Sequence, residues 1–306
     1  LEFGISLLNF TLAPETPNPR ELWQYGKHAE QLGFRSLWVY DHVLLGTKRA
    51  YSFLDPFIML GGLAALTEKT SLGTSIYLLA LRNPIEAARL VSTIDHASSG
   101  RFRFGVGAGW YAKEYEAIGI PFKQRGTVLE ESVEVMKKVW TQNFVSHKGR
   151  HFRFESLVVE PKPLQKPHPP ILVGGHDDVA LRRAVRLASA WIAFFENPKF
   201  IQGARPKIHD YANQLSRGSE PTISAIIPAC LGSTDSAAHD ELSRFIEKNF
   251  NRPFAEVEEA SAFGTPETCR RKVTEFEDAG VDELIFLHTE PSVQRLEEFY
   301  KQVVSR

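Results

Sequence analysis

Three short stretches of this chain carry residue types whose spacing could do chemistry. The first is SLWVYDH, an apolar run that closes on Asp41 and His42. An imidazole titrates near neutrality and can move a proton at a reacting group, and a neighbouring carboxylate can fix its orientation. Such a pair can also be structural, the carboxylate simply holding the ring. The second is RFRFGVGAGW, where Phe102, Phe104 and Val106 alternate and the run breaks into Gly105, Gly107 and Gly109, followed by Trp110. Glycines at alternate positions serve a tight turn at a strand end, or leave bare backbone for a flat ring or its tail to lie against. The third is VGGHDDVALRR, in which Gly174 and Gly175 join a strand to a helix. Free backbone N–H groups and the positive end of a helix suit an anion there. Asp177 and Asp178 in the first turn would satisfy the same dipole and repel a phosphate. A capped strand-to-helix turn is therefore the competing reading.

Other chemistries find no signature. The dinucleotide fingerprint needs a glycine where Trp110 stands, an acidic strand end ~20 residues on, and the first strand rather than the fourth. His147, His151, His168 and His176 have no HExxH or cysteine-paired spacing, so no metal is expected. There is no G-x-S-x-G elbow and no Walker loop.

The elements that must position these residues alternate along the whole chain. Strands are expected at FGISLL, SLWVYDH, SLGTSIYLL, RFRFGVGAG, ILVGG, WIAFF, PTISAIIPACLG and VDELIFLH. Helices are expected between them: 19–33 with Gly33 past its end, 55–70 opened by Asp55 and Pro56, and 83–100 capped by Asn83. Further helices are expected over 125–142, 177–188, 198–217, 265–280 with Thr265 as cap and Gly280 as stop, and 292–304. NFVSHKGRHFRFESLVV reads as a hairpin or extended arm turning at Lys148 and Gly149, and PKPLQKPHPP as a connector. The stretch from about 230 to 265 looks less regular and is expected to carry an insertion. About eight strands, each followed by a helix, imply an α/β fold: a single (β/α)8 TIM barrel with insertions over 1–306. Functional groups of such a barrel gather at the C-terminal strand ends. Here those ends read Leu8-Asn9, Asp41-His42, Ser75-Ile76-Tyr77, Gly107-Ala108-Gly109-Trp110, Gly174-Gly175-His176, Glu196-Asn197 and His288-Thr289.

Charge and composition narrow the class. A net charge of −1 argues against a nucleic-acid or membrane-surface partner. No apolar run is long enough for a membrane span, and LEFGISLLNF reads as a first strand rather than a signal peptide. Cys230 and Cys269, far apart, suggest no disulfide framework and a reducing, cytoplasmic setting.

At this point the residues resemble the luciferase-like monooxygenase superfamily, the bacterial-luciferase type of barrel enzyme. The likeness runs to about residue 290. It rests on GFRSLWVYDH, LGTSIYLLALRNPIEAARLVSTIDHASSGRFRFGVGAGW, GIPFKQRG, PKPLQKPHPPILVGG and FGTPETCRRKVTEFEDAGVDELI. The resemblance implies a flavin-type ring in the barrel mouth, lined by Ser75, Ile76, Gly107, Ala108 and Gly109, with a non-proline cis bond between Ser75 and Ile76. It implies a phosphate contact at Gly174-Gly175 and a catalytic His42. Two branches compete. One uses FMN and oxygen with a partner reductase, the other coenzyme F-420 and hydride transfer. The Asp41-His42 ending looks more like the deazaflavin branch. The sugar-phosphate dehydrogenases of that branch carry an acid where Trp110 stands and a tryptophan where this chain has Leu44-Leu45-Gly46. Trp110 and Tyr77 instead suggest an apolar wall for a small-molecule substrate. On this reading His42 moves the proton and Asp41 orients it. Homodimerisation follows from family habit. A flavin-binding protein without catalysis is the alternative of another class. A barrel isomerase or aldolase would need a lysine or paired carboxylates at strand ends, and neither is found.

Overall fold

The computed structural model describes residues 1–46 and 49–305. Eight parallel strands form the barrel: β1 (Glu2–Leu7), β2 (Ser36–Val39), β3 (Ser71–Thr74), β4 (Phe102–Val106), β5 (Ile171–Gly174), β6 (Ala190–Phe194), β7 (Thr222–Leu231) and β8 (Glu283–His288). Each pairs with the next in sequence, and β8 closes on β1 with Glu2 opposite Glu283 and Ser6 opposite Leu287. This is the TIM barrel expected from the alternation of strands and helices.

Side chains alternate across each strand, so each contributes to two layers. Trp38, Leu172, Ile192, Ile226, Ile285 and Leu287 pack inside the barrel. Ile5, Leu37, Val39, Phe102, Phe104, Val173 and Phe286 pack outward against the helices. At the N-terminal floor the buried carboxylate of Glu283 accepts from Ser36 Oγ at 2.5 Å, Ser224 Oγ at 2.8 Å and Arg103 Nη1 at 2.8 Å. Arg103 also lies 4.8 Å above the Trp38 ring. A buried charge persists only with such partners.

Half of the ten α-helices among the described residues begin where a short polar residue precedes proline. Asn18, Asp55, Asn83, Asn197 and Thr265 each accept a backbone N–H of the first turn. The arm is a hairpin, Val145–Lys148 against Arg153–Leu157. The stretch after β7 holds more order than its composition suggested. Thr234 caps a helix over Asp235–Phe250, and Ala262–Gly264 then adds a short strand to the end of β7. A short helix, Ala112–Ile118, follows β4, and a ribbon pairs Phe10–Leu12 with Tyr51–Phe53.

A backbone-to-backbone contact with no room for a side chain lies between β3 and β4. A Cβ on Gly105 would stand 2.0 Å from the carbonyl oxygen of Thr74, and both atoms belong to backbone that cannot yield. Gly105→Ala should therefore lower stability by about 2 kcal/mol or more, read as the shift in urea midpoint. Gly119→Ala is no matched control, because Gly119 has φ +80°. Gly203, helical with open space where its Cβ would stand, should tolerate alanine without loss.

Candidate active site

β3 ends at Thr74, and the next peptide, Ser75–Ile76, is cis. Ser75 stays tied to β2 through its N–H to Val39 O at 2.8 Å. The Ile76 side chain then fills the space that glycines leave on the two following strands. A Cβ on Gly107 would lie 1.7 Å from Ile76 Cδ1, and one on Gly174 2.9 Å from Ile76 Cγ2. The bare backbone of RFRFGVGAGW is thus approached first by the chain itself: by Thr74 at Gly105 and by Ile76 at Gly107. Ile76 remains half-exposed, an apolar floor flanked by backbone. Beyond it Tyr115 O–H donates to the carbonyl of Ala108, which holds the turn through Gly109.

Tyr77 does not line this mouth. Its N–H donates to Gly105 O at 2.8 Å, and its ring turns outward, 5.1 Å from Phe57 and 5.8 Å from Phe104. It is buried in the layer between barrel and helices. The expected wall residue is a core residue, because the cis peptide breaks the strand before Tyr77 and its side chain falls on the outer face.

His42 does stand at the mouth, but Asp41 is not what orients it. The carboxylate hydrogen-bonded to His42 is that of Glu114, with Oε2 3.0 Å from Nδ1. Glu114 Oε1 also accepts the N–H groups of Val43 at 2.7 Å and Leu44 at 3.2 Å, and its side chain is fully buried. An ionised carboxylate makes Nδ1 the donor and leaves Nε2 for other work. Asp41 instead accepts Leu78 N–H at 2.8 Å and pairs with Arg82 at 3.0 Å. Burial pushes its carboxyl above the ordinary range, and Arg82 and the Leu78 N–H oppose that shift. Asp41 is therefore a strut between the ends of β2 and β3.

Trp110 projects from the β4 loop, 66% exposed, with its ring edge-on to His42 at 6.0 Å. Phe53, from the ribbon, lies 5.1 Å from His42, its ring tilted to the imidazole. Sequence reading missed Glu114 and Phe53.

The Gly174-Gly175 turn is built, but its helix end is in use. Gly175 sits at φ +132°, which favours glycine, and its carbonyl accepts Trp191 Nε1–H at 2.7 Å. Asp177 caps the helix through Ala180 N–H at 2.7 Å. Asp178 pairs with Lys207 at 2.8 Å and accepts from Tyr211 O–H at 3.1 Å. The two carboxylates occupy the positive end that a phosphate would want. A flat apolar ring fits the Ile76 floor better than a phosphate fits this helix end. Among the described residues no group of three or more His, Cys, Asp or Glu is placed to hold a metal ion. Among the described residues no helix is long and apolar enough to cross a membrane.

Comparison with known proteins defines the class. The luciferase-like monooxygenase family matches residues 1–283, and the chain belongs to that family. Its members are oxidoreductases, and the particular proteins it resembles divide by cofactor. It is 34% identical to an uncharacterized Mycobacterium tuberculosis protein, Rv0953c, over 54% of this chain and 64% of that protein. It is 32% identical to an FMNH(2)-dependent dimethylsulfone monooxygenase of Pseudomonas putida over 66% of this chain and 54% of that one. The matches thus span less than two thirds of these relatives. An F-420-dependent secondary alcohol dehydrogenase, solved with an F-420–acetone adduct, shares the fold at TM-score 0.85 and 19% identity, over 99% of this chain and 97% of that one.

The geometry separates the two carboxylates experimentally. Glu114→Gln should change the imidazole nitrogen shifts of His42 in a 15N NMR spectrum, because the acceptor for Nδ1–H is lost. Asp41→Asn should leave those shifts within a fraction of that change. The reverse pattern would return the orienting role to Asp41.

Proposed function

We propose that this chain is an oxidoreductase that transfers a hydride between coenzyme F-420 and a small organic substrate, with His42 moving the accompanying proton. The observation that carries this reading is the His42–Glu114 hydrogen bond. Hydride transfer to or from a carbon bearing oxygen moves a proton at that oxygen, and an imidazole backed by a buried carboxylate suits the task. Glu114 holds Nδ1, so Nε2 is the atom that takes or gives the proton. The bound cofactor would supply or accept the hydride. Ser75 and Ile76 would lie beneath its ring, Gly107, Ala108 and Gly109 along one side, and Gly174 and Gly175 toward its tail. The fold shared with the F-420-dependent alcohol dehydrogenase is consistent with this arrangement.

A second reading is FMN-dependent monooxygenation with a partner reductase. The likeness to the dimethylsulfone monooxygenase favours it, and the same floor serves either ring. A flavin-binding protein without catalysis would take a cofactor and show no turnover with it.

Fluorescence titration of the purified protein with FMN and with coenzyme F-420, each oxidised and reduced, decides between them. Micromolar or tighter binding of the deazaflavin alone is expected. Preference for reduced FMN would select the monooxygenase reading, and binding of neither would remove the cofactor assignment. With the bound cofactor, His42→Ala should cut kcat at least tenfold and leave cofactor affinity within about twofold. Unchanged turnover would take His42 out of the mechanism.

The same reading includes a homodimer. The helix Pro56–Leu66 is apolar on every face, yet Ile58 is 70% exposed and Gly61 opens onto empty space. A helix apolar all round is normally buried all round. Light scattering should give a dimer for the native chain and a monomer for Ile58→Glu. A native monomer would exclude it.

A further inference from the structure

An unbroken run of aromatic rings follows the mouth on the side of β1, β2 and β6. It starts at Trp110, passes His42 and reaches Phe53. Phe53 stacks on Phe10 at 4.6 Å and 19°. Phe10 meets Tyr40 at 5.5 Å and Phe250 at 5.6 Å, both edge-on. Phe250 meets Phe195 at 5.0 Å, Phe195 stacks on Phe194 at 4.0 Å and 15°, and Phe194 returns to Tyr40 at 6.0 Å. The rings come from segments far apart in sequence: the ribbon, the ends of β2, β4 and β6, and the last residue of the helix Asp235–Phe250.

The run has a buried back and an open face. Phe10, Tyr40 and Phe195 are buried, Phe53 is half-buried, Phe194 is 39% exposed, and Trp110, at the other end of the run, is more open. Phe195 holds φ +57°, a conformation bulky residues rarely adopt, at the point where the chain presents the stacked pair. Apolar surface gathered in one place and left open beside a proton-carrying group marks a recognition surface.

Two carboxylates at this face are already engaged. Asp41 is paired with Arg82, and Glu114 is committed to His42 and two backbone N–H groups. Glu196, next after Phe195, is half-buried, and burial shifts it toward its neutral form. A charged substrate group laid on the rings would give up water that the rings do not replace. An uncharged ring would stack on them.

Resting on the oxidoreductase reading, we propose that the substrate is an uncharged molecule with an aromatic or fused-ring skeleton, and that Phe53 and Phe194 set that preference. The ring face lies against these two phenylalanines and the reacting oxygen points toward His42.

Three probes of different character test this on the full chain with whichever cofactor it takes: 1-tetralone, acetone and benzoate. Calorimetry should give 1-tetralone an affinity at least tenfold above the other two. Phe53→Ala and Phe194→Ala should each weaken 1-tetralone at least fivefold and leave cofactor affinity unchanged. Phe194→Leu keeps apolar volume at that site and should weaken it as well, which guards against a variant that fails to fold. Equal affinity for 1-tetralone and acetone would overturn the proposal, as would tight 1-tetralone binding by folded Phe194→Leu and Phe53→Ala. If the chain takes neither cofactor, the oxidoreductase reading fails on its own. Calorimetry on the free protein then still decides whether the wall prefers 1-tetralone.

Discussion

The mouth of this barrel depends on a steric fit between the end of β3 and the two strands beyond it. Gly105 lets the Thr74 carbonyl approach, and Gly107 and Gly174 give up their side chains to Ile76. The fit is reinforced by hydrogen bonds on the same atoms. Gly105 O accepts both Thr74 Oγ1–H at 2.7 Å and Tyr77 N–H at 2.8 Å. With that segment pinned, Ile76 faces the axis and Tyr77 faces the helices. Leu78 then offers its N–H to Asp41. One close approach therefore sets the floor, the outer packing and the link back to β2.

The two buried carboxylates of the site divide the labour in a way their surroundings explain. Each would be costly to bury without partners. Asp41 meets a guanidinium and a backbone N–H, so its charge is neutralised within the frame. Glu114 meets two backbone N–H groups and an imidazole that can be neutral or charged. Only the second arrangement leaves a partner free to gain or lose a proton as a reaction proceeds. The strut and the His42 hydrogen bond are thus separate, with no carboxylate shared between them.

Much of this was legible from the order of residues. The strand–helix alternation implied the closed barrel, and the Asn, Asp and Thr caps before proline placed helix starts correctly. His42, Ile76 and Trp110 were singled out as strand-end residues, and the structure does place them at the C-terminal end of the barrel. Glu114 was not legible: it lies 72 positions from His42 on a helix of about two turns, and nothing local marks it. Tyr77 was misplaced because the parity of a strand does not survive the cis peptide before it. The helix Asp235–Phe250 was legible in principle. Thr234 is a good cap, and Ala238, Leu242, Phe245 and Ile246 recur at helical spacing.

The mouth is built in two sectors of unlike chemistry. The sector from β3 to β5 is backbone: a cis peptide, glycines at 107, 109, 174 and 175, and one isoleucine. Few side chains there can vary without striking Ile76, so this sector suits a partner whose shape is always the same, such as a flat cofactor ring. The sector formed by β1, β2, β6 and the helix Asp235–Phe250 is side chain: rings contributed by the ribbon, the strand ends and the last residue of that helix. Segments beyond the strand ends tolerate change that the strands do not, and specificity concentrates there. His42 stands where the two sectors meet, its Nδ1 held by Glu114 and its ring within 5.1 Å of Phe53 and 6.0 Å of Trp110. Among the described residues it is thus the one imidazole fixed by both a buried carboxylate and the ring-lined sector.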